Sequence, residues 1–489
     1  MDRGSSPNRQ IAKSFAWVTV ERFAALGIQF VTTMILSRIL SQSDFGIIGI
    51  LMIFLAVACM LTDSGMGGSL IKQARVDYAD YSTLFIYNMG VSIALYLLLF
   101  GLAGPIARFY DIPEIRSILR VVGLLIVTNA LGQVQNIRLT RKLDFKTQAI
   151  ITITSFVVAS VVAIYLACKG FGVWVLVYQL LIQSALNTMG LIAVNRFIPS
   201  LRFSVRSFRE QWNFGVHLLG ANMLNTINAN IYSSVIGKAY TTHLTGLYVQ
   251  SYRVQNLPTS ILTAVVDKAA FPVLSQITDK QVFRERSVLI ARFVYFISFP
   301  VFAFLTVAAG SVMYVLFGPQ WIEGGWMLSI LGLAGMPMVV KAMSRNIIKS
   351  TGRTSYILRM ETISSFIIWG VLAVSVLISF RAMLWGIVLA NTAAAFLSMY
   401  YVAKTAGYPI GGQFRNIVPF IGLFGAALLA GYGICRAVDG PHIVLLIISA
   451  AACAAATLIA AALMSLPELR MLTGYVKARF RNKDQTMSC

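Results

Sequence analysis

The chain has 489 residues, 57% hydrophobic and only 12% charged, with a formal net charge of +22. Soluble globular domains are about 45–50% apolar and about 25% charged, so the composition excludes one and points to a chain solvated by lipid. With a cytoplasmic N-terminus and alternating spans, about 26 of the 40 Lys and Arg fall on cytoplasmic segments and about 7 on external loops, so the basicity reads as topological signal and attraction to an anionic inner leaflet rather than to nucleic acid.

In chain order, apolar runs predict spans at 15–36, 45–62, 83–103, 117–136, 149–167 and 173–195. A basic connection at 197–213 follows, then spans at 215–236, 246–270, 288–309, 326–348, 362–378 and 383–402. Two more, 417–435 and 442–464, bring the total to about fourteen. The expectation is an all-α membrane protein: a six-helix lobe over 1–196, a cytoplasmic linker over 197–213 and a second six-helix lobe over 214–402. Two additional helices over 403–466 and a basic cytoplasmic tail over 467–489 complete it, with both termini cytoplasmic. The first apolar run is too long for a cleaved signal and lacks a small-residue cleavage site, so it reads as a retained helix.

The two halves echo each other. SRILSQSDFG ends at Gly46 and GKAYTTHLTG ends at Gly246, so Arg38 falls opposite Lys238 with no gap. Asn136-Ile137 likewise resembles Asn346-Ile347. Six spans per half make parallel halves, related by an axis along the membrane normal, and such lobes enclose a central cavity.

The loops and motifs exclude most enzymes. The longest external connection, 310–325, is too short for a catalytic domain. There is no phosphate-binding G-x-x-x-x-G-K-[ST], no H-E-x-x-H and no G-x-S-x-G, and His217, His243 and His442 lie far apart. Cys59, Cys168, Cys435, Cys453 and Cys489 make no C-x-x-C pair, so neither a disulfide framework, a metal site nor a cofactor is called for. Transport by alternating access is the reading that survives.

Polar groups at membrane depth cost several kcal/mol unless they face protein or water, so they mark a candidate site. On the first helix Arg22, Ala25, Gln29, Thr32 and Thr33 share a face beside Glu21. They line a cavity or contribute to a buried ion pair. The seventh helix carries Asn222, Asn225, Asn228 and Asn230, whose amides suit sugar hydroxyls or interhelical hydrogen bonding equally. The eighth adds Tyr252 and Arg253 ahead of Pro258, and the tenth Lys341 and Arg345 four residues apart. Arg120, Lys268 and Arg292 add to this cationic interior, although Arg120 and Arg292 lie near span ends and could snorkel. A cationic interior suits an anionic, phosphate-bearing substrate. Glu21 and Asp267 are the acids available to carry a coupling proton or sodium ion; Asp63 and Glu361 lie near span ends.

The run LSRILSQSDFGIIGI at 36–50 and LTDSGMGGSLIKQ at 61–73 resembles the opening of the Wzx-type polysaccharide flippases, particularly the branch resembling colanic-acid exporters. RKLDFKTQAI, FGVHLLGANMLNTINANI, AAFPVLSQI and VLFGPQW continue the resemblance over roughly residues 10–400. Ser37 departs from the alanine common in that family. The resemblance implies a fold like the MATE and lipid-flippase superfamily. It implies a substrate, undecaprenyl-pyrophosphate-linked oligosaccharide, moved across a bacterial inner membrane, with polysaccharide polymerase and glycosyltransferase partners. It supplies no motif that fixes the binding residues. A MATE-like drug exporter should have an acidic cavity, which the excess of cations opposes; a lipid II flippase has similar substrate chemistry; a polymerase or ligase should have a large periplasmic loop, which is missing.

Overall fold

A computed structural model describes residues 7–73, 75–197, 199–200, 202–353, 355–438 and 440–471, with side chains for all of these except 7–15, 213–214, 216–218, 221, 265 and 267–272. The described residues form helices and no strands. They divide into two compact units, one ending at Gly246 and one beginning at Leu247.

The first unit opens with α1 (Pro7–Ile39), α2 (Gln42–Asp63) and the short α3 (Met66–Lys72). Then come α4 (Tyr78–Tyr110), α5 (Glu114–Val122), α6 (Leu124–Arg141), α7 (Phe145–Cys168), α8 (Trp174–Asn195) and α9 (Val205–Ala239). The start of α2 is fixed by a capping box, in which the Asp44 amide donates to Ser41 Oγ at 3.3 Å and the Ser41 amide donates to Asp44 Oδ2 at 2.9 Å. Its end is fixed by consecutive left-handed residues, Ser64 and Gly65, which turn the chain into α3. Helix α1 packs on α7, α6 on α8 and α4, and α9 on α2, α3 and α4. Ile50, Leu51, Leu55, Ile115, Ile118 and Val177 form the main core of this unit.

The second unit takes most of α10 (Thr242–Ser275), then α11 (Lys280–Val307), α12 (Ala309–Phe317) and a 3-10 turn over Pro319–Gly324. It continues with α13 (Gly325–Ser350), α14 (Ser355–Ile378), α15 (Phe380–Ala406), α16 (Ile410–Ala437) and α17 (His442–Leu463). Helix α13 packs on α15 and α11, α14 on α15, and α16 on α11 and α17. Helix α10 runs without interruption through Pro258.

Among the described residues, twelve helical segments are long and apolar enough to cross a membrane. The expected span at 117–136 is broken at Gly123, so α5 and α6 share that crossing. Helices α9 and α10, at 35 and 34 residues, are long enough to cross but carry many more amides and hydroxyls. The sequence predicts a loop at 310–325, whereas the structure places α12 and the 3-10 turn there. The reason is the apolar run ahead of Gly318, which buries Val312, Met313 and Phe317 while the turn buries Trp321.

Candidate functional site

The polar face of α1 divides. Thr32 is buried and donates to Ser160 Oγ of α7 at 2.7 Å, while Thr33 donates to the Gln29 carbonyl of its own helix at 2.8 Å. Arg22 and Gln29 are exposed and Glu21 half-buried, and none of their three side chains has an ion-pair or hydrogen-bond partner among the described residues. Thr32 therefore holds α1 to α7, while the longer polar groups are left over.

Helix α9 divides in the same way. Asn230 folds back onto the Thr226 carbonyl at 2.8 Å, and Ser233 donates to the Gly49 carbonyl of α2 at 2.9 Å. Tyr110 Oη lies 2.5 Å from Ser234 Oγ, and Lys238 Nζ is 3.0 Å from Asp111 Oδ2. These contacts tie the last turns of α9 to α2 and α4. One turn-length cluster earlier, Asn222 and Asn225 are half-buried and have no hydrogen-bond partner among the described residues. An amide on a long membrane helix that does not bond to protein is free to bond to a hydroxyl-bearing ligand or to water.

Between α2, α6 and α8 lies a pocket of about 240 Å³ lined by Cys59, Asp63, Asn129, Gln133, Asn136 and Thr188, among others. Gln133 donates to Asp63 Oδ1, and Asn88 of α4 donates to Gln133 Oε1 at 2.6 Å. Asn129 accepts from Ser184 Oγ at 2.7 Å. Asp63 thus meets the Gln133 amide and no cation among the described residues. Sequence reasoning passed over this group. The signal was available: Asn129, Gln133 and Asn136 recur at helical spacing within one apolar run, and Asp63 lies in the D-x-G stretch.

In the second unit Lys341 Nζ is 2.9 Å from Glu361 Oε2, joining α13 to α14, and Glu361 is only 3% exposed. Half of the expected cationic pair on α13 is thereby neutralised. Arg345, one turn on, is exposed and without a partner among the described residues. Tyr252 is half-buried and stacks on Tyr248 with ring centroids 5.9 Å apart, and Arg253 is half-buried beside it. Asp267 lies outside the described side chains. The expected residues therefore divide between the units: Glu21, Arg22, Gln29, Asn222 and Asn225 in the first, Tyr252, Arg253, Lys341 and Arg345 in the second.

Residues 35–324 match the family described as Polysaccharide biosynthesis protein. The chain is 27% identical over 327 residues to the succinoglycan biosynthesis transport protein ExoT of Rhizobium meliloti, a match covering 67% of this chain and 66% of that one. It is 23% identical to the teichuronic acid biosynthesis protein TuaB of Bacillus subtilis (71% of this chain, 73% of that one). It is 24% identical to the lipopolysaccharide biosynthesis protein WzxC of Escherichia coli (65% and 66%). The matches thus span about two thirds of ExoT and WzxC. Among solved structures, the lipid II flippase MurJ in an inward closed conformation superposes with a TM-score of 0.73 at 13% identity, covering 92% of this chain and 98% of that one. An inward-facing multidrug resistance MATE family transporter of the MOP superfamily follows at 0.63 and 15%, covering 81% and 98%. At these identities the likeness concerns the fold alone. The chain is a multi-pass membrane protein with a MATE-like fold, and it belongs to the family of polysaccharide biosynthesis proteins.

Proposed function

We propose that the protein is a flippase that moves an undecaprenyl-pyrophosphate-linked oligosaccharide from the cytoplasmic to the external leaflet of a bacterial inner membrane, by alternating access and without catalysing a covalent step. The observation that carries this reading is the set of polar groups left unpaired on apolar helices. Arg22, Gln29, Asn222, Asn225 and Arg345 have no partner among the described residues, and they are of the types that hold phosphate and sugar. Two six-helix lobes with their boundary at 197–213, and both termini cytoplasmic, complete the arrangement. In the second unit Tyr252 and Arg253 are further candidate binding residues, and Lys341 contributes through its pair with Glu361. Glu21 and Asp267 carry the coupling ion, and Asp63, held by the Gln133 amide, joins them as a third candidate.

The matched relatives support the substrate class, since ExoT, TuaB and WzxC are named for three different surface polysaccharides and for transport or biosynthesis. Polysaccharide polymerase and glycosyltransferase partners would act on the delivered product. A MATE-like exporter of cationic drugs is the alternative, and the predominance of Arg and Lys over acids within the helices speaks against it.

The test is a strain lacking this protein. It should accumulate lipid-linked oligosaccharide and lose surface polymer, both restored by the wild-type chain; unchanged surface polymer would reject the proposal.

A further inference from the structure

Where α4 meets α5, a cavity of about 850 Å³ opens within the first unit. One wall is bare backbone, because a Cβ added to Gly101 or Gly104 would meet nothing within 4 Å. Pro105 follows, and it removes a hydrogen-bond donor from the helix at this point. Leu98, Leu102 and Phe109 are exposed on the same helix. Three arginines line the cavity: Arg108 from the end of α4, and Arg116 and Arg120 from one face of α5 at four-residue spacing. The opposite face of α5 buries Ile115, Ile118, Leu119 and Val122, so the arginines have only one way to face.

The local charges leave this cluster unneutralised. Asp111 also lines the cavity, but its carboxylate is engaged by Lys238 at 3.0 Å. Arg120 lies with its guanidinium carbon 4.2 Å from the Phe100 ring centroid and donates Nε to the Phe100 carbonyl at 3.4 Å, which positions it without neutralising it. Arg108 and Arg116 are exposed and make no ion pair among the described residues. The placement also runs against the distribution of charge along the chain. The predicted external connection at 104–116 carries two arginines, with Arg120 one turn into the following span, whereas every other predicted external connection carries at most one Lys or Arg. A single arginine near a span end needs only a headgroup to snorkel toward; three around one cavity require a shared anion.

We propose that this cavity is a binding site for one phosphate-bearing lipid, with Arg108, Arg116 and Arg120 holding the phosphate and the groove at Gly101 and Gly104 receiving the attached chain. Guanidinium groups bind phosphate through paired N–H donors, and the glycines let an alkyl chain lie against backbone at the water–lipid boundary. The position of the site in the external leaflet rests on the proposed flippase topology; its chemistry does not. It is distinct from the proposed transported path, which uses none of its lining residues; Arg120, counted with the cationic interior in the sequence, lies at the wall of this cavity instead.

The test uses the full chain in phosphatidylcholine nanodiscs, titrated in separate arms with phosphatidylglycerol and with undecaprenyl phosphate and read by native mass spectrometry. Wild type should retain one molecule of one of these lipids, and the arm in which it does identifies a bilayer phospholipid or a polyprenyl carrier. R108Q/R116Q should lower that affinity by about 30-fold, as expected for two interfacial cations. G104L, which fills the groove without changing charge and faces open space, should lower it as well, while R436Q on another external connection should leave it unchanged. Equal affinity in wild type and R108Q/R116Q for both lipids would overturn the proposal, as would no retention of either by wild type. Because the readout is binding, it stands apart from export. A deletion strain with unchanged surface polymer would sink the flippase reading while leaving the lipid site measurable.

Discussion

Gly46 and Gly246, the positions that match in the expected sequence repeat, lie against each other. A Cβ on Gly46 would overlap the Thr242 carbonyl and come within 3.1 Å of the Gly246 nitrogen; one on Gly246 would overlap the Gln42 carbonyl. Gln42 and Thr242 are themselves equivalent, each the first residue of its helix. The preceding residues, Ser41 and Thr241, both accept an amide three residues on, from Asp44 at 3.3 Å and Leu244 at 3.2 Å. Each glycine thus meets the first residue of the other's helix, so α2 and α10 cross closely at their starts.

Substitution here should be graded by what the added methyl meets. G46A and G246A collide with backbone that cannot yield, so each should destabilise the detergent-solubilised protein by about 1–3 kcal/mol, read as a lowered melting temperature. G237A meets the side chain of the fully buried Ile50 rather than backbone, so it should cost no more than G46A and G246A. G27A, with open space around it, should be neutral or slightly stabilising. Equal melting temperatures across the series would contradict the close crossing.

The pair between Lys341 and Glu361 can be separated from a substrate role by a double substitution. K341A leaves a buried carboxylate unpaired and should cost about 3–5 kcal/mol. K341M/E361M removes both charges and should recover most of that stability. If the double variant is folded but does not export polymer, Lys341 acts on substrate as well as on Glu361. Recovery of both properties would confine it to packing.

Asp63 gives a third test. D63N keeps the shape of the side chain and an acceptor for Gln133, so the pocket should persist and the protein should reach the membrane at normal levels. Export measured in inverted vesicles should fall at least about 10-fold and lose its dependence on an imposed ion gradient, because the amide cannot hold a proton or neutralise a cation. Retention of gradient-dependent export in D63N would exclude it as the coupling group and return attention to Glu21 and Asp267.

The polar groups of α1 and α9 should face water. Cysteines at Gln29 and Asn225 should react with membrane-impermeant thiol reagents in a background lacking the native cysteines, and R22A should abolish export while leaving the protein in the membrane. Labelling of both positions by lipid-soluble reagents alone would place them against lipid or packed protein, and R22A with normal export would remove Arg22 from the path.

The sequence by itself determined the class of molecule and the approximate set of spans; the caps at Ser41 and Thr241, which start α2 and α10 a few residues ahead of the expected spans, are equally local. These follow from local chemistry. A run of apolar residues reports the solvent it needs, and a capping oxygen bonds an amide three residues away whatever surrounds it. Only the tertiary structure decided what each polar group meets. It sent Thr32 to Ser160 while leaving the Gln29 side chain unpaired on the same face, paired Lys341 but not Arg345, and gathered Asp63, Asn129, Gln133 and Thr188 from three helices into one pocket, with Asn88 of a fourth bonded to Gln133. It also turned the apolar stretch before Gly318 into α12 instead of a loop. Such outcomes depend on which neighbouring helix supplies a partner, and residues far apart in the chain are brought together only by packing.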